Sequence, residues 1–172
     1  MRMLIDSIEG EYRRYKQLAE DAITQLDDAQ VAAASGDDNS IAALVWHVSG
    51  NLKSRFTEFL TSDGEKPTRD RDSEFLARRV ARSELLATWN DGWQALFEAL
   101  VPLTDADLGR TVTIRGQPHT VAAALHRSLA HASYHVGQIV YIAKALRGPG
   151  WQSLSIPPGQ SAAFNERMMS KR

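Results

Sequence analysis

The stretch from Thr120 to Gly148 constrains the fold of this chain more than any other. Leu125, Leu129, Val136, Ile139 and Ile142 recur through it at helical spacing, and the spacing predicts one long helix. Thr120 suits the N-cap, Gly148 suits the position just past the end, and Pro149 cannot continue the helix. Lys144 and Arg147 lie in the last turns, where cations complement the helix dipole. His131 and His135 stand four residues apart in this helix, which places them on one face, one turn apart and beside the apolar stripe. Two inward imidazoles in that arrangement are a pair of candidate metal ligands.

The rest of the chain supplies partners for this helix. A first helix is expected over residues 3–28, with Ile8, Tyr12, Tyr15, Leu18, Ile23 and Leu26 on its apolar face. Turn formers over 32–39 close that segment. Ser40 is the expected N-cap of a second helix over 41–61, in which Gly50 costs roughly 1 kcal/mol against Ala and so points to the close approach of a neighbouring backbone. A polar segment, Thr61 to Asp72, reads as a solvated loop, with a lid as its alternative. Ser73 is expected to cap a third helix that runs to Val101 and carries Trp89 and Trp93 into the core. Residues 111–120 alternate around Arg115-Gly116 and predict a small hairpin leading into the last long helix. Trp151, Leu154 and Ile156 suggest a packed tail, followed by a helical or frayed end from about Asn165. The expectation is an all-α protein: one domain over 1–172, a four-helix bundle with a small β-hairpin before the last long helix.

Composition removes several classes of function. Lys+Arg 20 against Asp+Glu 21 leaves a formal charge of -1, so nothing suggests a nucleic-acid partner or an anionic membrane surface. With no Cys there is no disulfide, no thiolate ligand and no Cys nucleophile. The N-terminal residues lack the apolar core of a signal peptide, and no run approaches the length of a membrane span, so a cytoplasmic protein is expected.

A third ligand must come from another helix, and His47, mid-helix beside Leu44, Val45 and Val48, is the natural candidate. Three neutral imidazoles with no fourth protein ligand leave positions open to water or substrate, the layout of a catalytic rather than a structural zinc site. His126 points away from His131 and His135 on the same helix, and His119 sits in the hairpin. A lone His on a half-apolar face is commonly a satisfied core residue, and spacing alone leaves that reading open. Asn51 and Arg55 follow His47 at i+4 and i+8, as substrate-binding candidates; Arg55 could equally reach solvent. Gln138 is a candidate to orient an imidazole from behind, or a plain polar boundary residue. Tyr134 reads as packing or surface.

A mid-helix His in the second helix, then His131-x-x-x-His135 followed by Val136-Gly137-Gln138-Ile139, resembles the DinB/YfiT-like metalloenzyme superfamily. Gly50 to Arg55, Asp63 to Pro67 and Trp151 to Pro157 look like its DUF1572 branch, and the resemblance covers nearly the whole chain. It implies a four-helix bundle, often a homodimer, with a divalent metal, zinc or nickel, on His47, His131 and His135. Characterised relatives include transferases and isomerases that use a low-molecular-weight thiol: bacillithiol, mycothiol or glutathione. Three readings follow: a thiol-dependent transferase acting on a small molecule, a metal-dependent hydrolase, and a non-catalytic metal-stabilised stress-response or binding module. No carboxylate lies four residues from any of the three histidines, which favours the transferase over the hydrolase.

Overall fold

The computed structural model describes residues 1–33 and 39–170. Among them the chain is mostly helical: α1 (Met3–Ile23), α2 (Asp28–Ala32), α3 (Ile41–Phe56), α4 (Arg82–Leu100), a hairpin of β1 (Thr111–Ile114) and β2 (Gln117–Thr120), α5 (Val121–Arg147) and α6 (Ser161–Met169). No described helix is long and apolar enough to cross a membrane. Each of the four long helices packs on two others: α3 on α4 and α5, and α1 on α5 and α4. They enclose a core centred on Tyr12, Leu44, Leu52, Trp89, Trp93 and Leu125. The Tyr12 hydroxyl settles its buried proton on the Leu125 carbonyl at 2.7 Å.

Two helix starts follow local sequence. The Ser40 hydroxyl accepts from the Ala43 N–H at 3.1 Å, and the Thr120 hydroxyl from the Ala123 N–H at 3.1 Å. At the far end of α5 the chain turns at Gly148, where φ is 57°. The hairpin pairs Thr111 with Thr120 and Ile114 with Gln117 across a two-residue turn, with φ 54° at Arg115 and 71° at Gly116.

Three boundaries differ from expectation. The first helix ends at Ile23, because Asp27 and Gln30 form a reciprocal capping box that starts α2 afresh. The turn expected over 32–39 falls largely on residues 34–38, outside the described residues. The second helix stops at Phe56, five residues early, as Thr57 becomes extended and Glu58 takes φ 51°. The third helix does not begin at Ser73. Asp72–Phe75 is a single 3₁₀ turn, Leu76 is extended, and α4 begins at Arg82, whose N–H donates to the Asp28 carboxylate at 2.9 Å. The last helix begins at Ser161 rather than Asn165, and the tail before it packs through Trp151 and Leu154 on the core.

Candidate metal centre and its cavity

His47 projects from the middle of α3, and His131 and His135 from successive turns of α5. One ligand nitrogen from each lies within 4.8 Å of the others, a cluster that could hold a metal ion. The Nε2 atoms of His47 and His131 face each other at 3.1 Å. A tetrahedral ion roughly 2.0–2.1 Å from each nitrogen would separate two such donors by about 3.3 Å. Helix spacing put His131 and His135 on one face and kept His126 out, which is exposed on another face of α5; the fold brings His47, the candidate third ligand, to them.

The surroundings prepare these nitrogens as ligands. The His47 Nδ1–H donates to Glu74 Oε2 at 2.8 Å, which leaves the Nε2 lone pair pointing at the cluster. Burial works against the Glu74 charge, but hydrogen bonds from His47 and Arg69 outweigh it and hold the carboxyl below its ordinary range. Arg69 grips both Glu74 oxygens, at 2.8 and 2.9 Å. Gln138 does the same service for His135, accepting from Nδ1–H at 2.7 Å. His135 Nε2 is then a buried nitrogen with no hydrogen-bond partner. An unsatisfied buried acceptor is costly unless something binds it, so the donor set fits a metal ion. Burial pushes the His131 imidazole down to about 3, with repulsion from His135 and His47 adding to it. Burial likewise takes His135 down to about 4, against the opposing pull of Gln138. Both rings therefore stay neutral and able to ligate at ordinary pH.

Glu74 was not legible as a site residue. It lies 27 positions from His47 on what reads as a helix face, and Gly50 makes room for it. A Cβ at Gly50 would overlap Glu74 Oε1 and lie 2.9 Å from its Cδ. The approach expected at Gly50 is therefore made by a side chain, and the backbone approach occurs instead at Gly92, beside Ser49. Helix propensity alone favours Gly50→Ala by up to about 1 kcal/mol. The expected outcome is nevertheless a loss of about 10–100-fold in metal affinity, matched by Glu74→Gln, because each removes the support of His47. Competition titration against a chromophoric chelator reads this directly.

A cavity of about 240 Å³ opens beside the cluster. His47, His131, Asn51 and Arg55 line it; His135 does not. Asn51 is buried, and the Arg55 side chain is only 12% exposed, held by Glu65 at 3.0 Å rather than reaching solvent. The segment after α3 is no free loop. Gly64 N–H donates to the Thr113 carbonyl at 2.8 Å, and Ser54 Oγ donates to the Gly64 carbonyl at 2.9 Å. The Asp63 carboxylate accepts from the N–H groups of Arg115 and Gly116 at 2.8 and 2.7 Å. Together with the Glu65 N–H, these bonds hold its carboxyl down to about 2. The segment ties the hairpin to α3, carries Arg69 and Arg71 to the cavity, and sets Glu65 against Arg55. Arg127, Ser128 and Tyr134 also line it. Arg127 precedes His131 by one turn, so the spacing that selected the histidines contained it as well.

The family model described as "Protein of unknown function (DUF1572)" matches residues 2–160. No curated protein matches the chain. The chain belongs to the DUF1572 family.

Proposed function

We propose that this member of the DUF1572 family is a metal-dependent transferase that acts on a small molecule with a low-molecular-weight thiol as cosubstrate. One observation carries the reading: His47 and His131 line the cavity while His135 lies behind them, so the open side of the cluster meets a space that a small molecule can enter. In this reading His47, His131 and His135 hold zinc or nickel, metals suited to imidazole. Such an ion supplies a Lewis acid that favours the deprotonated form of a thiol or of water. Glu74 and Gln138 orient two of the imidazoles, and Asn51 and Arg55 position the bound molecules. In the transfer the thiol gives up its proton to solvent, its sulfur bonds an electrophilic carbon, and the displaced group leaves with the electron pair. The four long helices and the triad support placing the chain among DinB-like four-helix bundles; a homodimer, carried over from the resemblance alone, acting in the cytoplasm is part of the same proposal.

Hydrolysis would want a general base in the cavity. No described residue lining it is Asp or Glu, and Glu74 spends its oxygens on His47 and Arg69 at the far side of the imidazole. The test is cobalt substitution. With at least one small thiol a sulfur-to-metal charge-transfer band is expected in the near ultraviolet, reduced several-fold in Asn51→Ala. No response to any thiol, in protein shown to hold cobalt, would sink the transferase reading. A response to hydroxide alone would support the hydrolase, and a spectrum inert to every small ligand the non-catalytic module.

A further inference from the structure

We infer that the cavity beside the three histidines is built for a small molecule carrying at least two anionic oxygen charges, a dicarboxylate or a phosphate monoester, received by an arc of five arginines. This deepens the proposed function at the same site, but the arginines stand whether or not an ion is held.

Arg55, Arg69, Arg71, Arg115 and Arg127 all line the cavity, and no carboxylate does. They come from α3, from the segment that follows it, from the hairpin turn and from α5, so no single solvated helix face explains the cluster. Two carboxylates touch them from behind. Glu65 meets Arg55 at 3.0 Å, Arg115 at 2.8 Å and Arg69 at 3.8 Å; Glu74 meets Arg69. Counting also Asp72, five guanidiniums against three carboxylates leave two positive charges unbalanced, in a chain whose formal charge is -1. Arg71 has only the exposed Asp72 beside it, at 3.9 Å, and Arg127 has no ion pair among the described residues. Burial takes the Arg55 guanidinium below its ordinary range; Glu65 opposes this, and Arg69 and Arg115 add repulsion. That is the mark of cations gathered ahead of an anion. Arg presents forked donors that match carboxylate and phosphate oxygens, and the two buried guanidiniums, Arg55 and Arg69, act where screening by water is weakest. Ser128 also lines the cavity, with its hydroxyl buried toward Tyr12.

The test is calorimetric titration of chelator-treated protein at low ionic strength with inorganic phosphate, with succinate and with uncharged succinamide, metal content being measured separately. At least one dianion is expected to bind one to one, and succinamide not to bind. Phosphate alone points to a phosphate monoester as the natural ligand, and succinate alone to a dicarboxylate. Arg127→Gln should weaken the dianion by about tenfold, equivalent to about 1.4 kcal/mol, and Arg127→Lys should recover only part of the loss. Arg71→Gln should weaken it in the same direction. Metal uptake by all three variants should match the parent protein, which also shows that they are folded. Dianions that bind no more tightly than succinamide, or that bind Arg127→Gln and Arg71→Gln as tightly as the parent protein, overturn the inference. Protein that takes up metal but no dianion retains the proposed function and loses this one; protein that binds dianion but no metal does the reverse.

Discussion

Alanine at His47, His131 or His135 is expected to strip the protein of metal, each on its own, while His126→Ala leaves the content unchanged. The three ligand nitrogens converge within 4.8 Å from two helices, and no described Cys, Asp or Glu joins them. Losing one of three donors should cost more than the ~10–100-fold in affinity that removal of a supporting contact costs. His126 is the matched control, on the same helix but exposed away from the cluster. Elemental analysis of untagged protein after dialysis reads the result, and loss of metal in His126→Ala would show the ligand assignment to be wrong. Acidification offers an independent reading. A free histidine protonates near pH ~6.5, but the folded protein holds His131 and His135 neutral down to about 3 and about 4. Over that interval the unfolded chain binds protons at these residues that the folded chain does not. By linkage, stability therefore falls as pH drops below the ordinary histidine value, and keeps falling until the folded values are reached. Metal should be retained through pH ~6.5 and lost only well below it, together with the fold. Release centred on the ordinary histidine value would mean that the rings are not buried as described.

Gly92→Ala should destabilise the protein by about 1–3 kcal/mol, even though helix propensity predicts a gain of up to about 1 kcal/mol. Gly92 faces α3, and a Cβ built on it would stand 2.5 Å from Ser49 Cα and 2.8 Å from Ser49 Cβ. Backbone atoms cannot rotate aside as a side chain can, so α3 and α4 would have to separate. That separation would loosen Trp89 and Trp93, both fully buried one turn apart on α4. Gly10 on α1 is the counter-example, since a Cβ there meets nothing within 4 Å. Gly10→Ala should therefore raise stability slightly, while Gly92→Ala lowers the melting temperature by about 2–4 °C for each kcal/mol lost, as expected at this chain length. Two glycines that differ only in their neighbours should thus move the transition in opposite directions. Equal shifts in one direction would contradict the close approach of α3 and α4.

What the sequence determined by itself is what interactions within a few residues decide. Ser40 and Thr120 cap their helices through N–H groups three residues on. The Arg115-Gly116 turn sets the hairpin, and a four-residue interval puts His131 and His135 on one face. The helical character of the chain follows from apolar periodicity, because each helix has one stripe to bury; periodicity made His47 only a candidate partner for those two, and the packing of α3 on α5 brings it to them. The tertiary structure decided the rest. Asp28 accepts from the first N–H of α4 from 54 residues away, while Ser73 lies inside a 3₁₀ turn that Leu76 ends. Glu74 reaches His47 across 27 residues, through space that Gly50 leaves open. The arginine arc assembles from four separate segments. None of these contacts has a period or a local spacing to betray it. Each depends on how far apart two elements come to rest, a distance that the packing of the whole core sets and no short stretch of sequence encodes.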